Sequence, residues 1–316
     1  MRLGETLSSD TLFHFTGKRE YLVNIIENGF YPRYCTEDLS MFSSDTSSEY
    51  QSHDCDIPMV CFCDIPLSKV KEHISVYKGY GIGCTKAWGI ERGITPLVYV
   101  KTTSETVIGI QNALNSIRSL SKIDDEDIPK VRAVSENLNR LMKFIKPYEG
   151  RFVHNDQIFE NKRFYDEREW RYVPKIEDKP GGELLDLIRK ESLYWAVKVA
   201  KQLLDNEVTG HSDPKVFWAH QLLNKTPDLL ELSDLELIDD LYQKFRQEMN
   251  LKIECIPEMA LSVDPLTIKY IIVEKEEDVE PIADVLNKKF RAGYSATTLT
   301  RLLTRIITLE QIFDDF

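Results

Sequence analysis

The chain has 316 residues, 42% of them apolar and 29% charged, which is the balance of an ordinary globular protein with material for one large domain or two small ones. Its net charge of −12 excludes broad electrostatic binding to nucleic acid, which needs Lys and Arg to neutralise phosphates, but leaves room for a local basic patch. Six irregularly spaced cysteines make no disulfide framework; with no apolar leader and no run near the ~18 apolar residues of a membrane span, a cytoplasmic protein with reduced thiols and no membrane segment is expected.

In chain order, Leu12–Thr16 reads as a short apolar strand, and Thr16 as the cap of a helix over Lys18–Asn28. Leu22, Ile25 and Ile26 share a face of that helix, and Gly29 would end it. The polar stretch Thr36–Asp56 is expected to be a long loop or a flap over a site. Pro58–Asp64 reads as a buried strand whose Asp64 caps a helix carrying Leu67, Val70, Ile74 and Tyr77. Gly79 breaks that helix, and Tyr80–Cys84 is a strand whose two glycines suggest a close approach to the backbone.

Pro96–Lys101 is a further strand, and Ser104–Tyr148 has the periodicity of a helical hairpin. Glu169–Val173 returns to strand; Gly182–Asn250 reads as helical, with Trp195 and Trp218 as packing anchors. Ile268–Val273 is a strong strand, followed by a helix over Glu277–Phe290 and an amphipathic tail. The expected fold is α+β: a mixed sheet assembled from distant strands over 1–175 and 262–316, a helical insertion at 103–148, and a helical subdomain at 180–255.

Three segments place polar residues in strands that otherwise read as core. In LFHFT, His14 points away from Phe13 and Phe15 and shares a face with Thr16; alone it is equally a core histidine bonded to a carbonyl. In HISVYKGYGIGC, Tyr77 sits on the apolar helix face, while Tyr80 stands between Gly79 and Gly81, able to offer a ring to a planar ligand. The glycines lack the spacing of a dinucleotide fingerprint. In FYDEREWRYVP, strand alternation would put Glu167, Glu169 and Arg171 on one face and Arg168 on the other. Two such carboxylates repel, which raises a pKa or prepares a general base; exposed paired charges are the bland alternative.

His53, Cys55, Cys61 and Cys63 have no standard zinc spacing, and small cysteines on an apolar strand are commonly core, so no metal site is assigned. A metal-dependent nuclease would have to rely on Asp64, Asp166 and Glu169 without an established ligand pattern.

Taken together, LFHFT, VCFCDIPLS, the H-x3-Y-K-G-Y-G-I-G run with KAWG, and YDEREWRYVP resemble the AbiGi group of abortive-infection proteins from bacterial phage defence, over Leu12–Pro174. That family is described as the antitoxin-like partner in a two-gene system, so the resemblance implies defence and a toxin partner protein without naming a reaction. More loosely, the motif order is similar to the ADP-ribosyltransferase fold, including the DarT type. That likeness implies NAD as substrate and a nucleic-acid or protein acceptor. It would make His14, Tyr80, Glu167 and Glu169 catalytic, with Thr16, Tyr77, Gly81, Arg168 and Arg171 binding NAD. Glu169 would stabilise an oxocarbenium-like ribose, and Glu167 would activate the acceptor. The Ser-Thr-Ser signature that many such transferases carry is missing after Tyr80.

Overall fold

The computed structural model describes residues 9–43, 54–71, 74, 79–120, 126–154, 157–174, 243, 246–247 and 249–315. The chain divides into two units, one of residues 1–31, 59–173 and 260–316, the other of 32–58 and 174–259. Residues 32–58 therefore group with the second unit, although the sequence set them with the core.

The first unit is organised by a mixed sheet. Its strands are β1 (Thr11–Thr16), β3 (Asp54–Cys63), β4 (Tyr80–Thr85), β5 (Thr95–Pro96), β10 (Glu169–Tyr172), β11 (Ile268–Val273) and β12 (Ile306–Thr308). They lie in the order β12-β11-β4-β1-β3-β10-β5, so the sheet is assembled from distant parts of the chain. β1 pairs antiparallel with both β3 and β4, β10 antiparallel with β3, and β11 parallel with β12.

Both faces of this sheet are covered, which is why adjacent residues of β1 are both buried. On one face Leu12, Phe62, Ile82 and Trp88 pack with Leu22, Ile25 and Ile26 of α1 (Arg19–Asn28), and with Ile282 and Leu286 of a helix over Val279–Phe290. On the other, Phe13, Cys63 and Ile272 pack with Ile65, Leu67, Val70, Leu309 and Ile312.

Gly29 ends α1 at φ 88°, and a Cβ there would stand 2.6 Å from the Leu261 carbonyl oxygen, so both the backbone angle and the space call for glycine. The cap expected at Thr16 is not made: α1 starts at Arg19 behind an extended Lys18 with no side-chain cap. Asp64 is likewise no helix cap; its carboxylate accepts the Ser9 N–H at 2.9 Å and Lys86 Nζ at 2.7 Å. What approaches the β4 glycines is the protein itself. A Cβ on Gly81 would meet the Phe15 ring at 2.9 Å, and one on Gly83 the Phe13 ring at 2.8 Å.

Other expectations need correction. The stretch beginning at Thr36 is not all loop: Arg33–Asp38 forms strand β2, paired with β3, and Ser40–Phe42 is a 3-10 turn. The hairpin insertion consists of α3 (Glu105–Arg118) and α4 (Ile128–Met142), but Ile145–Pro147 then forms strand β7, parallel to β6 (Val98–Val100). An antiparallel pair follows, β8 (Glu149–His154) with β9 (Gln157–Arg163). Two short helices, Ala296–Leu303 and Leu309–Asp315, flank β12 in what was expected as a tail.

In the second unit, Arg246 Nη2 donates to the Tyr34 carbonyl at 2.7 Å, the Asn250 side chain accepts the Tyr34 N–H at 2.9 Å, and Thr36 Oγ1 donates to Asp56 at 2.6 Å. Residues 249–254 are helical. The rest of the helical subdomain expected at 180–255, with Trp195 and Trp218, lies outside the described residues apart from 243 and 246–247. Among the described residues no helix is long and apolar enough to cross a membrane.

Candidate functional site

The charged segment before and within β10 is reached through an unusual turn. Phe164–Glu167 is a 3-10 turn, and Arg168 follows in the left-handed region at φ 44°, ψ 49°. Strand geometry begins only at Glu169, so the expected alternation through 167 does not exist. The left-handed residue nevertheless turns both glutamates toward one cation. Lys146 Nζ on β7 lies 3.1 Å from Glu167 Oε2 and 2.9 Å from Glu169 Oε2.

Lys162 Nζ on β9 reaches Glu167 Oε1 at 2.8 Å. Arg171 donates its Nε at 2.9 Å and its Nη2 at 2.7 Å to Glu169 Oε1, and its Nη1 to the Lys143 carbonyl at 2.8 Å. The Glu169 N–H donates to Tyr99 Oη at 2.9 Å, and the Cys61 thiol donates to the Glu169 carboxylate. Glu167, Glu169 and Arg171 are all buried, Arg171 at 1% exposure.

The electrostatics follow from these contacts. Burial pushes Glu169 up, but Lys146 and Arg171 outweigh it and hold the carboxyl at about 2. Glu167 is pushed up by burial too, and Lys146 and Lys162 bring it below its ordinary value. The raised pKa expected from mutual repulsion is therefore reversed: three cations meet two carboxylates, and neither is poised to take a proton near neutrality.

His14 is half-buried, edge-on to Phe30 with ring centroids 5.3 Å apart and tilted against Phe62 at 5.7 Å. Its Nδ1 lies 2.8 Å from the Cys61 carbonyl oxygen. A carbonyl only accepts, so Nδ1 carries the proton and Nε2 keeps its lone pair in the neutral ring. Burial lowers the pKa, more than the carbonyl bond raises it, so the ring stays neutral at pH 7.

The registers settle which side each group takes. Phe13 pairs with Cys63, and Cys63 with Glu169, so these three share a face. His14 pairs with Ile82 and touches Phe62, which pairs with Trp170 on the opposite face. His14 and Glu169 are both tethered to Cys61, one through its carbonyl and one through its thiol, yet they leave the sheet on opposite sides. A small ligand lying on one face would meet one of them and not the other.

The remaining residues are dispersed. Tyr80 is buried, and its hydroxyl donates to Asp278 Oδ2 at 2.9 Å; burial first, then this bond, pushes the phenol to about 12. Asp278 also accepts from Arg19 at 3.2 Å, so Tyr80 joins β4 to neighbouring helices and presents no free ring face to a planar ligand. Thr16 pairs with Tyr80, and Gly81 is filled by Phe15. The Arg168 guanidinium lies 5.7 Å over the Tyr165 ring. Tyr77 is outside the described residues. Lys146, Lys162 and Tyr99, which complete the charge cluster, were not singled out in the sequence.

Fold and site together define a mixed α/β protein whose strongest polar constellation is a buried, internally neutralised ion cluster. The family model described as "Putative abortive phage resistance protein AbiGi, antitoxin" matches residues 28–203, more than half of the chain. The "Abortive phage resistance protein AbiGi" of Lactococcus lactis subsp. cremoris is 32% identical over 186 residues, covering 54% of this chain and 73% of that relative. The chain belongs to the AbiGi family of abortive phage resistance proteins. No solved structure matches it.

Proposed function

We propose that the chain acts as an antitoxin by binding a toxin partner, without catalysing a reaction itself. The observation that carries this reading is the closed state of the Glu167–Glu169 cluster: its carboxylates are spent on Lys146, Lys162 and Arg171. A general base needs a carboxylate whose proton affinity is raised toward the working pH, and these are held the other way. The family description, with its word antitoxin, points in the same direction.

A two-gene abortive-infection system supplies the test. The chain is co-expressed with the product of the gene adjacent to its own. Relief of a growth arrest caused by that product, with recovery of a complex of the two proteins, is the expected result. Growth arrest that persists beside soluble, folded chain would sink the reading.

The ADP-ribosyltransferase reading keeps one observation in its favour: β1 and β10, which carry His14 and Glu169, flank the same strand β3. It would have NAD cleaved and its ADP-ribose passed to a nucleic-acid or protein acceptor. Purified chain incubated with labelled NAD and lysate is expected to release no nicotinamide. Release that disappears in folded Glu169→Gln would make this the better reading.

A further inference from the structure

We infer that helix α4 is the docking surface for the toxin partner, and that the partner presents to it an acidic, amphipathic segment; this rests on the antitoxin reading. α4 packs mainly against α3, and among its side chains only Met142 is fully buried. Val131 and Leu138 are half-covered, whereas Val134 and Leu141 stand 51% and 47% exposed. Lys130, Val134, Asn137 and Leu141 recur at helical spacing and line one exposed stripe; Ala133 and Arg140 lie beside it.

The charge on this stripe selects the occupant. α4 carries Lys130, Arg132 and Arg140 against the single acid Glu136, on a chain whose net charge is −12. Glu136 falls on a different side of the helix from Val134 and Leu141, so the apolar strip is bordered by cations alone. Apolar strips rimmed by one sign of charge bind segments of the opposite sign, with the apolar contact giving affinity and the charge giving steering.

α4 is also held in place by the buried cluster. The carbonyl of Lys143, just past its last turn, accepts Arg171 Nη1 at 2.8 Å. Three residues further on, Lys146 bridges Glu167 and Glu169. On this reading the cluster anchors a binding helix, which gives an ion network otherwise without a reaction a use.

The test uses the full-length chain and the partner from the co-expression experiment, in a titration followed by isothermal calorimetry. Val134→Asp/Leu141→Asp and Lys130→Glu/Arg140→Glu are compared with Ile158→Asp/Phe159→Asp, a control on the exposed β9 residues. Circular dichroism melts verify that each variant folds. Both α4 variants should weaken binding by about tenfold or more, while the β9 control binds as wild type does. Undiminished binding by the apolar α4 variant overturns the proposal and leaves the antitoxin reading standing. Loss in the apolar variant alone, with charge reversal silent, overturns the acidic chemistry. Failure of the wild-type chain to bind the partner removes the antitoxin reading and this proposal with it. Phosphatidylglycerol vesicles are the second probe. Binding to them that only the α4 variants lose, with partner affinity unchanged, would make α4 a lipid-facing helix and overturn the proposal.

Discussion

Removing the Glu169 carboxylate strands Arg171, a guanidinium 1% exposed that gives two hydrogen bonds to Glu169 Oε1. An unpaired buried charge costs about 3–5 kcal/mol, so Glu169→Ala should lower the urea midpoint sharply. Arg171→Met combined with it should cost much less than the two single changes summed, because the second substitution removes the charge that the first left alone. The same contacts set an acid limit. Glu169 has its folded pKa depressed to about 2 from 4.5, and Glu167 shifts in the same direction. Below pH 4.5 the unfolded chain binds protons that the folded chain refuses, so stability present at neutrality is lost as pH falls toward about 2. His14 acts earlier with the same sign: its folded pKa lies below 6.5, so stability starts to fall under that pH. Chemical denaturation across pH 7 to 3 should show two stages of loss, with the upper one absent in His14→Asn. An unchanged upper stage in that variant would mean that His14 is not the group responsible.

At the level of elements, the left-handed Arg168 decides the geometry of the cluster. A non-glycine residue there costs on the order of 1 kcal/mol, and β-branched residues fit worst. Arg168→Gly should therefore leave stability within about 1 kcal/mol of wild type, while Arg168→Val lowers it by a further 1–2 kcal/mol or so, both measurable in urea. Equal losses in the two variants would indicate that the guanidinium over Tyr165, not the backbone, matters at this position. This turn also marks how far the site was legible in the sequence. YDEREWRY announces charges in a half-apolar strand, and β1, β4, β10 and β11 could be read because their apolar runs are short and bounded by turn residues. The cation that gathers both glutamates could not be read. Lys146 lies 21 and 23 residues away from them, in a stretch whose periodicity continues that of a helix. Nor could local pattern say that His14 and Glu169 part to opposite faces, because that depends on the register of β1 on β3 and of β3 on β10. The β8–β9 pair was missed because EGRFVH and QIFENKR mix charge with few apolar residues, leaving little alternation to recognise.

For the whole molecule, sequence similarity and structural dependence end at different places. The family match stops at residue 203, yet β11 and β12 come from 268–308 and pair beside β4. Ile268, Ile271, Ile282 and Leu286 belong to the core on one face of the sheet, and Ile272 and Ile312 to that on the other. All six are fully buried. Ending the chain at residue 259 would strip both cores and leave β4 as an open apolar edge, a template for association. Each lost side chain of this kind removes about 1.5–3 kcal/mol of burial, and six of them exceed the whole stability of an ordinary domain. The truncated chain should therefore aggregate or lack cooperative melting, even though it retains every residue of the family match. Supplying 260–316 as a separate polypeptide during refolding should restore a melt, since β11 brings its own hydrogen-bonding edge and the helix over Val279–Phe290 its own apolar face. A cooperative transition in the truncated chain alone would show that β1, β3, β4 and β10 hold together without these elements, and that the fold is carried by the family-matched part.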